Sequence, residues 1–136
     1  MSRFQADVYR EVALMRQYFP SFKCRLKRET VIWHGPLQPT ESSTCYRIRI
    51  TYARGSYPKV RIIQPGIRPD APHRYSDRSL CLFYPEEETD LLRQGIAKTI
   101  VPWAAEWLLY YEAWLVTGVW YGPEAPHPVV KAPDST

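Results

Sequence analysis

Asparagine is missing from all 136 residues, and the six glycines, Gly35, Gly55, Gly66, Gly95, Gly118 and Gly122, stand isolated. Each lack excludes something. Without asparagine no Cys-His-Asn hydrolase can be assembled, and Asp77 is the only carboxylate near the most reactive-looking thiol, so a cysteine hydrolase ranks last among the enzymatic readings. Without G-x-G-x-x-G or G-x-x-x-x-G-K-[ST], the chain has no glycine-rich cradle for a nucleotide's phosphates. Cysteine is scarce: Cys24, Cys45 and Cys81 form no C-x-x-C pair, and the N-terminus is polar rather than a signal peptide, so a reduced, cytoplasmic protein is expected. No apolar run approaches the ~20 residues that cross a bilayer. The richest region is broken by Glu106 and Glu112, so no membrane partner is expected. The net charge of +4 comes from basic residues spread at alternating positions rather than in one run, the pattern of a solvated sheet face and not of a nucleic-acid site.

What is present is enough for one core. A chain of 136 residues, 45% of them hydrophobic, makes a single domain, expected over residues 1–121, with a proline-rich extended tail over 122–136. Ser2 and Gln5 make a capping-box pattern, and Phe4, Val8, Val12, Met15 and Phe19 recur at helical spacing until Pro20. Phe22, Cys24 and Leu26 alternate with Lys23, Arg25 and Lys27. Tyr46, Ile48, Ile50 and Tyr52 alternate with Arg47, Arg49 and Thr51, so both runs predict half-buried antiparallel strands. On that alternation Cys24 and Cys45 are packing residues. A further strand is predicted from Val60 to Ile63, and Pro65, Gly66, Pro69 and Pro72 then impose an irregular loop. Glu86, Glu87 and Glu88 cannot converge on a metal, because consecutive side chains diverge; they read as the solvated start of a short helix capped by Thr89 or Asp90, with Leu91, Leu92 and Ile96 inward, through Lys98. Pro102 suits the first turn of the last helix, where Trp103, Trp107, Tyr110 and Trp114 form a stripe flanked by Leu108, Tyr111 and Leu115, and Gly118 ends it. That stripe covers the sheet or, being so broad, serves as a dimer or hetero-complex surface.

The segment from His73 to Leu82 concentrates the chemistry. Cys81 follows a polar run rich in hydrogen-bond donors, and Leu80, Leu82 and Tyr84 alternate with Cys81 and Phe83 as in a short strand. A thiolate is the reactive form of cysteine, and His73, Arg74 and Arg78 bring positive charge that favours it. The alternative is a small buried hydrophobe, the commonest fate of a free cysteine.

Helix, four-stranded meander, proline-rich loop, His followed eight residues later by Cys, and long covering helix is an order that resembles the ubiquitin-conjugating enzymes over residues 1–117. Trp33-His34-Gly35-Pro36-Leu37 with Pro39-Thr40 is similar to that family's Gly-Pro turn between its first strands, and Tyr57-Pro58-Lys59-Val60 to its Tyr-Pro and Pro-Lys-Val stretch. His73 matches the His of the His-Pro-Asn motif, and Cys81-Leu82 matches the catalytic Cys-Leu. Arg74 and Tyr75 stand where the family has Pro and Asn, so Tyr75, Ser76 or a backbone N–H has to take over the asparagine's task of holding the loop or stabilising an oxyanion. The run Pro102-Trp-Ala-Ala-Glu-Trp-Leu108, Tyr111-Glu-Ala-Trp114, Thr117-Gly-Val-Trp120 and Gly122-Pro-Glu-Ala-Pro-His127 resembles the bacterial members found in antiphage CBASS operons, beside a cGAS-like nucleotidyltransferase.

The resemblance implies an α+β, ubiquitin-conjugating-like fold with an N-terminal helix, a four-stranded antiparallel meander and a long C-terminal covering helix. It also implies a Cys81 thioester with the C-terminus of the cGAS-like nucleotidyltransferase, passed to an acceptor amine. The competing reading is a non-catalytic adaptor that keeps the fold and binds the same partner. His73 is read as base or loop anchor. His127, on a tail that can fold back over the cleft, is read as proton acceptor for the amine or as a solvated tail residue. His34 is assigned no chemistry. No cofactor is expected, and a zinc site from Cys81, His73, His127 and another cysteine lacks ligand spacing. Activation of the carboxylate then falls to another protein, either a separate activating enzyme or a route in which the partner is activated elsewhere.

Overall fold

The structure, a computed structural model, describes residues 2–82 and 93–123. Helix α1 (Arg3–Tyr18) starts as its sequence dictates: the Ser2 hydroxyl accepts the Gln5 N–H at 3.1 Å and the Gln5 side chain accepts the Ser2 N–H at 2.8 Å. Its last turn closes with the Phe19 N–H on the Met15 carbonyl, just before Pro20. Val8 and Met15 are buried on its inner face, with Phe4 and Val12 partly so.

Four antiparallel strands follow in chain order, β1 (Lys23–Leu26), β2 (Thr30–Leu37), β3 (Tyr46–Ala53) and β4 (Lys59–Gln64). Period-two alternation sorts them into two faces. Val31, Trp33, Tyr46, Ile48, Ile50 and Val60 are buried on the inner face and join α1 and the last helix in one apolar cluster. On the outer face Lys23, His34, Arg49 and Arg61 stand in register across all four strands. Arg49 Nε donates to His34 Nε2 at 3.1 Å, and burial together with Arg49, Arg25 and Arg47 lowers the His34 pKa, so His34 is a neutral acceptor on a basic surface.

Helix α2 (Ile100–Thr117) is preceded by a 3-10 turn over Ile96–Lys98 and capped by Gly118 in the left-handed conformation, φ 77°. Pro102 lies in its first turn, where a missing N–H costs nothing. The buried face runs through Val101, Ala104, Trp107, Leu108 and Tyr111, so the covering stripe is rotated from the one expected, and Tyr110 and Trp114 lie at its half-exposed margin. Glu11, itself buried, accepts the Ile96 N–H at 2.8 Å and ties α1 to that turn. Glu112 accepts from Tyr46 Oη at 2.8 Å and Ser43 Oγ at 2.9 Å, tying α2 to the β2–β3 connection.

Four expectations are corrected. Cys24 is exposed, because β1 is the edge strand and none of its four residues is covered. Cys45 is exposed too: the inward set of β3 is Tyr46, Ile48 and Ile50, which puts position 45 on the opposite parity. Trp33-His34-Gly35-Pro36-Leu37 is not a turn but the second half of β2. There Gly35 is required by packing, since a Cβ would lie 2.5 Å from the Phe22 ring, and Pro36 is tolerated because β1 pairs only as far as His34. Among the described residues, Leu80 to Leu82 form no strand but a single antiparallel bridge, Arg74 to Leu80, because the segment folds back on its own polar run; Phe83 and Tyr84 of the expected strand lie outside them. The acidic run 86–88, the Thr89 or Asp90 cap with Leu91 and Leu92, and the tail from residue 124 with His127 lie outside the described residues. Among the described residues no helix is long and apolar enough to cross a membrane.

Candidate active site

His73-Arg-Tyr-Ser-Asp-Arg-Ser-Leu-Cys81 forms a small hairpin. The Cys81 N–H donates to the His73 carbonyl at 3.0 Å, the Tyr75 N–H to the Ser79 carbonyl at 2.9 Å, and the Arg78 N–H to the Tyr75 carbonyl at 2.8 Å. The tip is a tight turn whose last residue, Arg78, has φ 72°; His73 at the base has φ 61°. Both lie in the left-handed region that non-glycine residues seldom occupy, and such positions gather at functional sites.

Three anchors hold the hairpin on the domain. The Leu80 N–H donates to the Val60 carbonyl at 2.9 Å, which docks the hairpin beside β4. Asp77 fixes the tip: Oδ1 accepts from the Ser79 N–H at 2.9 Å and hydroxyl at 2.6 Å, while Oδ2 accepts from Lys59 Nζ and Arg61 Nη2, both at 3.1 Å. Partial burial works to raise the Asp77 pKa, but the Ser79 and Lys59 hydrogen bonds outweigh it and hold the carboxyl well below the usual range. From the other side, Trp107 Nε1 on α2 donates to the His73 carbonyl at 3.1 Å, so that one carbonyl accepts from both α2 and Cys81.

The sulfur is surrounded. Cys81 is 8% exposed, buried against the core edge. Tyr75, in the position of the expected asparagine, hydrogen-bonds the Cys81 sulfur through its hydroxyl; burial, then the nearby sulfur, push its phenol up to about 12. A phenol that stays protonated through the neutral range is a donor, and a donor on sulfur favours the thiolate. The His73 ring lies 5.0 Å from the Trp120 ring, which also packs on Trp107 at 5.3 Å and Tyr110 at 5.9 Å. His73 thus contributes its carbonyl and a ring seated on aromatics, the geometry of an anchor. Trp120 covers part of the aromatic stripe on α2. The structure brings Cys81 and His73 together through the backbone.

Sequence reasoning missed Trp107, Trp120 and the two-sided use of Asp77. The Asp-x-Ser spacing of Asp77 and Ser79 is a turn signal, since an Asp side chain bonds the backbone two residues on. A buried Trp needs an acceptor for its N–H, but which carbonyl it finds is set by the fold.

This arrangement, a cysteine on a pinned hairpin beside β4 and under the C-terminal helix, coincides with a family match. The model of the type II CBASS E2 protein family matches residues 11–128. The chain belongs to that family. Membership gives this CBASS E2 protein an E2-like role in CBASS defence. None of the curated proteins matches the chain.

Proposed function

We propose that this CBASS E2 protein is a thioester transferase with Cys81 as acyl carrier. The Cys81 thiolate attacks the activated C-terminal carbonyl of a cGAS-like nucleotidyltransferase, forming the C–S bond as the activating group departs with the bond's electron pair. An acceptor amine then attacks the thioester carbonyl; the C–N bond forms, the C–S bond breaks, thiolate leaves, and a proton passes from the amine to a base, for which His127 is the candidate. The activating group comes from a separate activating enzyme, as the chain carries no phosphate cradle of its own.

The observation that supports this best is the contact of the Tyr75 hydroxyl with the Cys81 sulfur, because it supplies a neutral donor where the asparagine is missing. Burial of Cys81 favours the second reading, an adaptor in which the thiol only packs. Intact mass of the protein co-expressed with its operon neighbours decides between them, in wild type and Cys81→Ala. A wild-type-only adduct equal to the donor less one water, released by neutral hydroxylamine, is the expected result. Co-purification without an adduct under activating conditions would move the assignment to the adaptor.

A further inference from the structure

The hairpin that carries Cys81 is also one wall of a cleft. Arg74, Tyr75 and Arg78 face Ile67, Pro69 and Ala71 of the loop after β4 across a space of about 320 Å³. Tyr75 belongs to both surroundings, since its hydroxyl bonds the Cys81 sulfur. Whatever fills the cleft therefore meets the residue that also reaches the sulfur.

Among the described residues the cations of this cleft outnumber their carboxylate partners. Arg68 is matched by Asp70 at 3.1 and 2.8 Å, and Asp77 is occupied by Lys59, Arg61 and Ser79. Among the described residues no carboxylate pairs with Arg74 or Arg78; Arg74 Nη2 donates only to the Arg68 carbonyl, at 3.0 Å. Burial and the neighbouring Arg78 both act against the charged form of Arg74. Arg78 in addition occupies a left-handed backbone position where glycine would sit without strain. The larger cleft between α1 and the β3–β4 turn makes the contrast: there Arg3 and Arg10 face Asp7 and Glu11. Half-buried Arg74 and exposed Arg78 thus bring two guanidiniums to one wall of the cleft with no described carboxylate between them.

We propose that Arg74 and Arg78 form a carboxylate-binding subsite beside Cys81, which holds an acidic side chain of the polypeptide whose C-terminus is delivered to the sulfur. The inference rests on the reading of Cys81 as acyl carrier and adds the chemical class of the tail it accepts. Planar guanidinium forks match a carboxylate in two-point contact. The apolar wall of Ile67, Pro69 and Ala71 takes the aliphatic part of the same residue, and a space of this size holds one or two residues of an extended chain. Guanidinium forks take phosphate as well, but a phosphate would leave the apolar wall uncovered, which favours a carboxylate borne on a side chain.

The test uses the full chain as its Cys81→Ala variant, so that binding is read without acylation. Arg Nε–H and backbone resonances are followed by NMR during titration with Gly/Ser octapeptides that carry one Glu at the third, fourth or fifth residue from a free C-terminus, each with a Gln twin. For at least one position we expect saturable shifts at Arg74 and Arg78 and binding about fivefold or more tighter than the Gln twin, as a charge-assisted pair gives, weakening with added salt. Arg78→Gly, which suits the backbone there, and Arg74→Gln should each bring the Glu peptide close to its twin. Equal binding of Glu and Gln peptides at every position overturns the proposal. So does tighter binding of inorganic phosphate or adenosine monophosphate to the same resonances. A failed acyl-transfer reading would leave this titration intact and show only in the adduct assay, so the two can fail separately.

Discussion

The N–H of Cys81 donates to the carbonyl of His73 at 3.0 Å, which closes the intervening residues into a ring of backbone and fixes the sulfur relative to the rest of the hairpin. The reach of Tyr75 to the sulfur, the turn at Arg78 and the grip of Asp77 all depend on that closure. His73 therefore acts on Cys81 through the main chain whatever its imidazole does.

Tyr75→Phe removes one hydroxyl and little volume. With its phenol pushed up to about 12, Tyr75 remains a donor at neutral pH, and losing that donor disfavours the thiolate. Alkylation of Cys81 by iodoacetamide at pH 7 should slow by about three- to tenfold, with melting temperature nearly unchanged. An equal rate in the variant would mean that the hydroxyl does not tune the sulfur.

Asp77→Asn tests the clamp through pH. Because the folded-state pKa of Asp77 is lowered, its contribution is fully present above the unfolded value of about 3.9 and is lost as pH falls through that value toward the folded one. The variant should melt lower than wild type at pH 7, and the gap should narrow as pH falls below about 4 and close only as Asp77 takes up its proton in the folded protein. A gap that persists in acid would place the loss in packing. Asparagine keeps an Oδ1 acceptor for Ser79, so the variant reads the charge assistance of those bonds together with the ion pairs to Lys59 and Arg61, which are partly exposed and screened.

Trp107→Phe deletes the N–H that reaches the His73 carbonyl from α2. That carbonyl keeps Cys81 as a donor, so the hydrogen-bond loss is near the low end, about 1 kcal/mol, with a further ~1 kcal/mol from lost volume in the core. Hydrogen exchange at the Cys81 N–H should accelerate more than at residues of β2. Uniform acceleration across the sheet would argue that Trp107 is only a core residue.

Gly35→Ala places a methyl 2.5 Å from the Phe22 ring. Overpacking of this kind costs about 1–3 kcal/mol, and Phe22→Leu in the same chain should restore part of it, since touching residues are not additive. A full-strength Gly35→Ala protein would show that the ring swings aside freely.

Much of this was legible in the chain. The Ser2–Gln5 box, the helical spacing to Phe19 and the alternation through β3 are local signals that the fold leaves unopposed. Gly35 and Pro36 misled because both normally punctuate, and only the short partner β1 and the ring of Phe22 make them strand residues. Cys24 obeys the alternation but sits on an edge, and edges are a property of the sheet rather than of the strand's sequence. The pairing of Cys81 with His73 could be suspected from spacing, whereas the Trp107 donor and the Arg61 grip on Asp77 come from elements distant in the chain.

The row of Lys23, His34, Arg49 and Arg61 across the outer face has a bearing on how copies of the molecule meet. Lys23, Arg49 and Arg61 carry the charge of this row while His34 is neutral, and two molecules approaching face to face, or along the exposed β1 edge with Lys23 and Arg25, would align cation against cation. In dilute buffer this repulsion opposes self-association. At an ionic strength where the screening length falls to about 3 Å the repulsion is gone, so concentrated stocks of this chain should turn cloudy on adding salt and clear again on dialysis.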